Sequence, residues 1–239
     1  MDTINIFIYR VLNKIIEKIH KYFNSPKRRN AYTSKLIVQK RRSYFLNISK
    51  HINFLHALDL VNKSKLDGTI VELGVLNGNS LAQIYALKQY LGLSNDIYAF
   101  DTFEDSHSNV KFSSNINIYK AITIPNLIRS GIEEPEKEIK FIIGDIRDTL
   151  GEFKEKIALL HVDVDLPEVY EFILNTLWSQ LEVESVIIFD DIFTDKLEQE
   201  RVEAKFGSLT STVENFLTDK DYELIGENIR SRMIIRKLG

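Results

Sequence analysis

The chain has 239 residues, 44% of them hydrophobic, which is enough for one large domain with a buried core. Its 31 basic and 34 acidic residues give a net charge of −3, so a broad nucleic-acid-binding surface is not expected. Cysteine is absent, which excludes disulfides, thiol nucleophiles and thiolate metal sites. No apolar run reaches the roughly 20 residues of a membrane span, and signal-peptide features are missing, so we expect a soluble cytoplasmic protein.

The N-terminal part is predicted to be helical. Residues 4–23 place apolar side chains on one helical face and lysines mainly on the other. We expect this helix to pack in a domain or subunit contact, and the alternative is a position on a membrane surface. Two basic clusters follow, which are either solvated or face an anionic substrate, and residues 43–63 are again predicted to be helical. We therefore predict that residues 1–65 form a helical extension that caps the substrate and joins subunits of a homo-oligomer.

From residue 69 onward, predicted strands and helices alternate, which is typical of a parallel sheet covered by helices on both faces. The last two strands, predicted over 222–225 and 232–236, are expected to form an antiparallel hairpin at the edge of the sheet. The predicted fold of residues 66–239 is thus α/β, with a doubly wound, mostly parallel seven-stranded sheet. The five inner strands are predicted over residues 69–72, 97–100, 139–143, 157–162 and 186–189. Further helices are predicted over about 119–128, 196–206 and 209–218.

The first of these strands leads into an acidic residue and a glycine-rich turn. Glu72 is followed by Gly74 and Gly78, and Ser80 begins the next helical pattern. A strand, a glycine turn and a helix bring a ligand close to bare backbone at a helix N-terminus, although many such turns contain glycine for conformational reasons alone. The Gly-x-x-x-Gly spacing differs from the pattern of dinucleotide-binding proteins. The turn also contains no lysine or arginine that would bind a diphosphate.

Each of the five inner strands ends at a carboxylate. In open parallel sheets, ligands bind at the carboxyl ends of the strands, so these side chains are candidates for one shared site. The acid after the second strand is suited to binding ribose hydroxyls. An adenosine ligand with a cationic, amino-acid-like tail fits this arrangement better than a dinucleotide. The five acids are Glu72, Asp101, Asp145, Asp163 and Asp190.

Five segments together resemble the macrocin O-methyltransferase family, and they lie at residues 72–80, 100–103, 144–150, 158–166 and 187–191. The resemblance covers about residues 69–217. It implies a class I methyltransferase fold and an enzyme, dependent on S-adenosylmethionine and a divalent metal, that methylates sugar hydroxyls of natural products. Two positions depart from the family pattern: Pro167 replaces a tyrosine, and Val183-Glu184-Ser185 replaces a glycine pair.

The resemblance also implies a role for individual residues. Residues from the glycine turn would line the methionine end of the cofactor, namely Glu72, Gly74, Gly78 and Ser80. Asp101 would hold the ribose with Phe103 beside it, and Asp145 and Ile146 would border the adenine. Asp163, Asp190 and Asp191 would bind the metal. A site with oxygen ligands and neither cysteine nor paired histidine suits Mg²⁺ rather than zinc.

The implied reaction moves a methyl group from a sulfonium to a hydroxyl that the metal orients and acidifies. Catechol-type relatives use a lysine three residues after the first metal aspartate, and this chain has Leu166 there. The predicted base is therefore Asp163, or His107 from a polar loop. Asp165 is interpreted as the N-cap of the following helix. The alternatives are a silent methyltransferase-like binding module, a nucleotide-sugar-binding enzyme, and a methyltransferase for a non-sugar small molecule.

Overall fold

A computed structural model describes residues 35–103, 119–193, 200, 209–225 and 232–239. Side chains are described from residue 50 onward, apart from those of Asp191, Phe193 and Arg232. The predicted helix over 4–23 lies outside these residues, as do His107 and, apart from residue 200, the predicted helix over 196–206. No helix within the described ranges is both long and apolar enough to cross a bilayer.

The strands of the described chain alternate with helices, as the sequence predicts. Single helical turns also lie at 119–123, 150–152 and 178–180. The strands are β1 (Thr69–Leu73), β2 (Ile97–Asp101), β3 (Lys140–Ile143), β4 (Ile157–Val162), β5 (Leu181–Phe193), β6 (Tyr222–Leu224) and β7 (Arg232–Lys237). The helices are α1 (Lys35–Ser64), α2 (Asn79–Leu91), α3 (Ile124–Arg129), α4 (Pro135–Glu138), α5 (Ile146–Thr149), α6 (Pro167–Leu177) and α7 (Leu209–Leu217).

The strands form one seven-stranded sheet in the order β3-β2-β1-β4-β5-β7-β6. Strands β1 to β5 are parallel to one another, whereas β7 pairs antiparallel with both β5 and β6. The order reverses beside β1, so ligand binding is expected at the carboxyl ends of β1 and β4. The predicted doubly wound α/β fold with an antiparallel C-terminal hairpin is confirmed.

Alternation of side chains along the strands produces two apolar layers, one on each face of the sheet. On one face, Ile70, Leu159 and Ile188 pack with buried residues of α1 and α2. On the other face, Val71, Leu160 and Ile187 pack with α6 and α7. Helix α1 is part of the first layer because its residues Phe54, Ala57, Leu58 and Val61 are at most 1% exposed. The helix that precedes β1 therefore covers the sheet directly.

Several boundaries differ from the sequence prediction for local reasons. Strand β5 extends from Leu181 to Phe193, longer than the predicted 186–189, because its first residues continue the pairing with β4 and its last residue pairs with β7. The predicted helix over 119–128 is one wide helical turn followed by α3, with Pro125 in the first turn of α3. Helix α6 begins at Pro167, as proline at the first helical position favours.

Candidate active site

The turn after β1 needs glycine because it passes against the end of β4. Gly74 has a φ of 86°, and a Cβ atom placed on it would lie 2.0 Å from the carbonyl oxygen of Asp163. The amide of Gly74 donates to the carbonyl of Phe100, and the amide of Asp163 donates to the carbonyl of Leu73. The glycine therefore keeps the turn in direct contact with the strand end that carries Asp163.

The second glycine of this turn begins α2. Gly78 is the N-cap residue with a φ of 78°, and it contributes no side chain to cap the helix. A Cβ atom there would lie 3.2 Å from both Leu127 and Thr123, so the turn is packed closely against α3 and the residue before it. Ser80 is buried in the first turn of α2. An uncapped helix start beside a glycine turn is a site where backbone N–H groups bind ligand oxygens or a carboxylate.

Asp101 binds backbone amides of this turn and of the loop that follows β2. Its Oδ2 accepts hydrogen bonds from the amides of Val75 at 2.6 Å and Leu76 at 2.7 Å, and its Oδ1 accepts one from the amide of Phe103 at 2.6 Å. Leu76 and Phe103 both have positive φ values, 46° and 52°, which are strained for residues with a side chain. The carboxylate thus stabilises two strained loop positions. Ribose binding by Asp101 remains a prediction.

Beyond β2, Phe103 lies in an aromatic cluster. The ring is 2% exposed and its centroid lies 5.0 Å from that of Tyr119 and 6.2 Å from that of Phe141. The Tyr119 hydroxyl donates to Glu136 at 2.8 Å, which fixes the ring. The predicted position of Phe103 beside a nucleoside is compatible with this wall, and the contact itself remains a prediction.

After β3, Asp145 begins a short helical turn and caps it. Its Oδ1 accepts from the amide of Arg147 at 2.9 Å, and the Arg147 guanidinium pairs with both carboxylate oxygens at 3.0 and 2.5 Å. These hydrogen bonds from Arg147 lower the pKa of the Asp145 carboxyl to about 2. Ile146, which follows, is buried. The predicted contact of Asp145 and Ile146 with adenine remains a prediction.

The acids at the ends of β4 and β5 converge, as predicted. Ligand atoms of His161, Asp163 and Asp190 all lie within 4.8 Å of one another, a separation that a metal ion could bridge. Burial raises the pKa of the Asp163 carboxyl, the neighbouring Asp190 raises it further, and Lys50 opposes the rise. The side chain of Asp191, the third predicted metal ligand, lies outside the described part of the structure.

A lysine from α1 enters the same cluster, which the sequence analysis did not anticipate. The ammonium of Lys50 donates to Oδ2 of Asp163 at 2.8 Å and lies 3.1 Å from Oδ2 of Asp190. Its side chain is 15% exposed, and that of Asp190 is 8% exposed. The two basic clusters of the sequence lie within residues 27–42, whereas Lys50 stands outside them between Ser49 and His51. No local pattern therefore indicates that Lys50 belongs to the site.

His161 was likewise missed, although it lies within one of the motif segments. It is directly opposite Glu72 in the pairing of β4 with β1, and Asp190 lies two residues beyond its partner Ile188 on β5. All three side chains therefore point to the α1 face of the sheet. A histidine inside the apolar run Ile157–Val162, in register with an acid of a neighbouring strand, was the available signal.

The three side chains form a buried polar chain. His161 Nδ1 lies 3.1 Å from Oε1 of Glu72, its Nε2 lies 3.4 Å from Oδ1 of Asp190, and Phe54 contacts its ring edge-to-face with centroids 4.9 Å apart. Burial alone would lower the pKa of His161, but the hydrogen bonds to Asp190 and Glu72 outweigh it and raise the pKa to about 9. These hydrogen bonds thus favour the cationic form of the imidazole, which links the two acids.

Glu72 is fully buried, and its described partner is His161 rather than an open ligand-binding surface. Burial raises the pKa of the Glu72 carboxyl, and the hydrogen bond with His161 opposes the rise. Its second oxygen, Oε2, has no hydrogen-bond partner among the described residues. Acidic and basic side chains thus alternate along the chain of contacts Glu72–His161–Asp190–Lys50–Asp163. The predicted contact of Glu72 with the methionine end of the cofactor remains a prediction.

The capping role expected for Asp165 is wrong. Leu166 is the N-cap residue of α6, with extended backbone and no side-chain cap, and its carbonyl accepts the first helical hydrogen bonds from Val169 and Tyr170. Asp165 lies one residue outside the helix because Pro167, at the first helical position, fixes where the helix begins.

Sequence and structure comparisons are consistent with this geometry. The profile of a family of methyltransferase domains matches residues 71–192, about half of the chain. Comparison with curated protein sequences gave no match. The structure resembles that of the O-methyltransferase NovP with a TM-score of 0.62 and 17% identity, over 80% of this chain and 81% of NovP.

Two further solved structures share the fold. Apo CalS11, described as a TDP-rhamnose 3'-O-methyltransferase of calicheamicin biosynthesis, aligns with a TM-score of 0.59 and 18% identity over 94% of this chain and 92% of its own. The methyltransferase PaMTH1 of Podospora anserina, solved with S-adenosylhomocysteine (SAH), aligns with a TM-score of 0.51 and 15% identity over 92% and 86% of the two chains. At these identities the structural likeness establishes the fold, and the matched profile establishes the family: the chain belongs to a family of methyltransferase domains.

Proposed function

We propose that the protein is an S-adenosylmethionine-dependent O-methyltransferase that acts on a hydroxyl of a sugar, a glycosylated natural product or a polysaccharide precursor. Its membership in a methyltransferase domain family supports the reaction class. The sugar-type acceptor is suggested by the resemblance to macrocin O-methyltransferases and by the fold shared with CalS11, whose own acceptor is a TDP-rhamnose.

One observation carries the proposal: the glycine turn is in contact with the backbone of Asp163, one of the two acids. The backbone of Gly74 faces the Asp163 carbonyl so closely that no Cβ atom fits between them. The Asp163 and Asp190 carboxylates extend from the same strand ends. A methyl donor held at the glycine turn would therefore lie beside an acceptor held at the acids. This placement is the geometric requirement for direct transfer between two bound molecules.

The residues fit a divalent cation of the Mg²⁺ type. Two carboxylates supply the oxygen ligands that Mg²⁺ prefers, and they already hold a cationic group, the Lys50 ammonium, between them. Asp163 and Asp190 would hold the metal, with Asp191 as the further predicted ligand. When bound, such an ion lowers the pKa of a coordinated hydroxyl and orients it.

The chain's own residues account for the remaining requirements. The turn from Gly74 to Gly78 and the start of α2 would bind the methyl donor, and Asp101 holds that turn in shape by accepting hydrogen bonds from the amides of Val75 and Leu76. Asp163 would accept the proton of the acceptor hydroxyl at a carboxylate oxygen. His107 is the alternative base.

The test is a calorimetric titration with SAH, with and without Mg²⁺, followed by transfer of a labelled methyl group to a panel of nucleotide sugars and glycosides. Asp190→Asn should retain the fold and most of the SAH affinity but lose methyl transfer. Asp219→Asn, which changes an exposed acid paired with Lys220, is the matched control and should behave as wild type.

Four outcomes would contradict parts of the proposal. Absence of SAH binding would refute the methyltransferase assignment. SAH binding without transfer to any acceptor would favour a silent binding module, and transfer only to non-sugar hydroxyls would replace the proposed acceptor class. Full activity of Asp190→Asn in excess chelator would refute the role of the metal.

The N-terminal region enters the proposal as an assembly element of a cytoplasmic homo-oligomer. Deletion of residues 1–24 should reduce the oligomer measured by light scattering. If the full chain instead pelleted with anionic liposomes while the shortened chain stayed soluble and oligomeric, residues 4–23 would be a membrane-surface helix.

A further inference from the structure

Lys50 occupies the position between the two acids where the proposed function puts a divalent cation. We infer that Lys50 is a tethered cation that competes with the metal: its ammonium holds Asp163 and Asp190 together in the metal-free protein and must leave when the ion binds. The inference rests on the proposed metal site. It assigns to α1, which lies outside the matched methyltransferase profile, control over metal affinity.

The contact geometry makes the two cations mutually exclusive. The ammonium lies 2.8 Å from Oδ2 of Asp163 and 3.1 Å from Oδ2 of Asp190, so it lies between the two carboxylates that would coordinate the metal. A Mg²⁺ ion at its usual distance of about 2.1 Å from carboxylate oxygens would fall within contact distance of the ammonium. Like charges at that separation repel strongly in a partly buried setting.

The charges of the cluster favour exchange over double occupancy. Asp163 and Asp190 carry two negative charges, of which one ammonium neutralises one, whereas one divalent ion neutralises both. Both cations together would place three positive charges against the two carboxylates whose side chains the structure describes. The acid pair should therefore accept either the lysine or the metal.

The position of α1 explains why the lysine competes effectively. Phe54 follows Lys50 by one helical turn and packs against His161, so the helix is fixed on the sheet beside the acids. A rigid attachment of this kind gives the ammonium a high effective concentration at the acids. The flexible four-carbon stem of lysine still allows the ammonium to leave without movement of the helix.

The consequence is a metal affinity below that of the bare acid pair. If the lysine occupies the acids for about 90–99% of the time, the apparent dissociation constant for Mg²⁺ rises by about 10- to 100-fold. Removal of the ammonium should restore the intrinsic affinity. The direction is opposite to that expected for an ordinary supporting residue, whose loss weakens binding.

The experiment is calorimetric titration of Mg²⁺ into the full chain and into Lys50→Met, which keeps the length and apolar stem of the side chain but removes the charge. The matched control is Lys63→Met. Lys63 lies on the same helix and pairs with Asp59 at 2.7 Å, but this pair is on the surface. We expect Lys50→Met to bind Mg²⁺ at least about 10-fold more tightly than wild type, and Lys63→Met to match wild type.

Each other outcome is decisive. If Lys50→Met is unfolded without metal but folds when Mg²⁺ is added, the ion replaces the ammonium and the inference holds. If Mg²⁺ fails to restore folding, or if folded Lys50→Met binds Mg²⁺ no more tightly than wild type, the inference is overturned. Mg²⁺ binding by the variant but not by wild type would support the competition while refuting metal dependence in the native protein. Absence of binding in both would refute the metal site and the inference together, and SAH binding tests the methyltransferase assignment separately.

Discussion

Replacement of Gly74 by alanine tests the contact between the glycine turn and the end of β4. Two costs add at this position. The positive φ of 86° disfavours any residue with a Cβ atom by roughly 1–2 kcal/mol. The new methyl group would lie 2.0 Å from the Asp163 carbonyl oxygen, so the backbone must shift, and overpacking of this kind costs about 1–3 kcal/mol. We expect a total loss of about 2–5 kcal/mol in the free energy of unfolding.

Gly92→Ala provides the control that separates the two costs. Gly92 ends α2 with a φ of 69°, and a Cβ atom there meets nothing within 4 Å. Its loss should be only the roughly 1–2 kcal/mol of the backbone conformation. Urea denaturation followed by circular dichroism measures both variants. Calorimetry should also show weakened SAH binding for Gly74→Ala alone.

Equal destabilisation of the two variants would refute the reasoning. It would mean that the Gly74 turn is not in close contact with Asp163 and that the donor and acceptor regions are not adjacent. The single observation behind the proposed function would then be removed.

Three further perturbations test the surrounding residues. Asp101→Ala should weaken SAH binding by about 1.5–3 kcal/mol in calorimetry, because the amides of Val75 and Leu76 in the turn, and of Phe103 after β2, lose their acceptor. Unchanged affinity would separate Asp101 from the cofactor site. Glu72→Leu should lower the free energy of unfolding in urea by about 3–5 kcal/mol, because it removes an acid partner of His161. Glu72→Gln should lower it less, and equal losses would argue against a charge pair between Glu72 and His161. Arg147 lowers the pKa of the Asp145 carboxyl, so the contribution of this pair to folding stability is present above about pH 4 and is lost as the pH falls toward 2. Asp145→Asn should lower the free energy of unfolding by at most about 1 kcal/mol at pH 7, because the pair is exposed. A loss that persisted at pH 2 would contradict this assignment.

The sequence predicted the fold and those site residues whose position depends only on the strand or turn to which they belong. Periodicity located the inner strands, and the acids at their ends placed Asp163 and Asp190 at one edge of the sheet. The turn at Gly74 and Gly78 was recognised because positive φ angles favour glycine. These features depend on local conformation and on the common direction of parallel strands, both of which a sequence pattern encodes.

The residues that were missed act through contacts between distant segments. Lys50 reaches Asp163 across 113 residues, and its helix packs on the sheet at an angle that no local pattern specifies. His161 pairs with Glu72 only once the register of β4 against β1 is known. The error at Asp165 has a local cause: the capping pattern fitted the sequence, but the helix began one residue later than the pattern required. The division of the chain at residue 65 remains a proposal.

The attachment of α1 to β4 has a consequence for how the protein is made. The ribosome synthesises this helix long before the strand that carries Asp163, and at 5–20 residues per second the delay across 113 residues is roughly 6–23 s. During that interval the apolar side chains of α1 that will face the later strands have no partner there. Nascent chains stalled between residues 65 and 150 should therefore bind chaperones through α1, and release should follow emergence of β4 and β5.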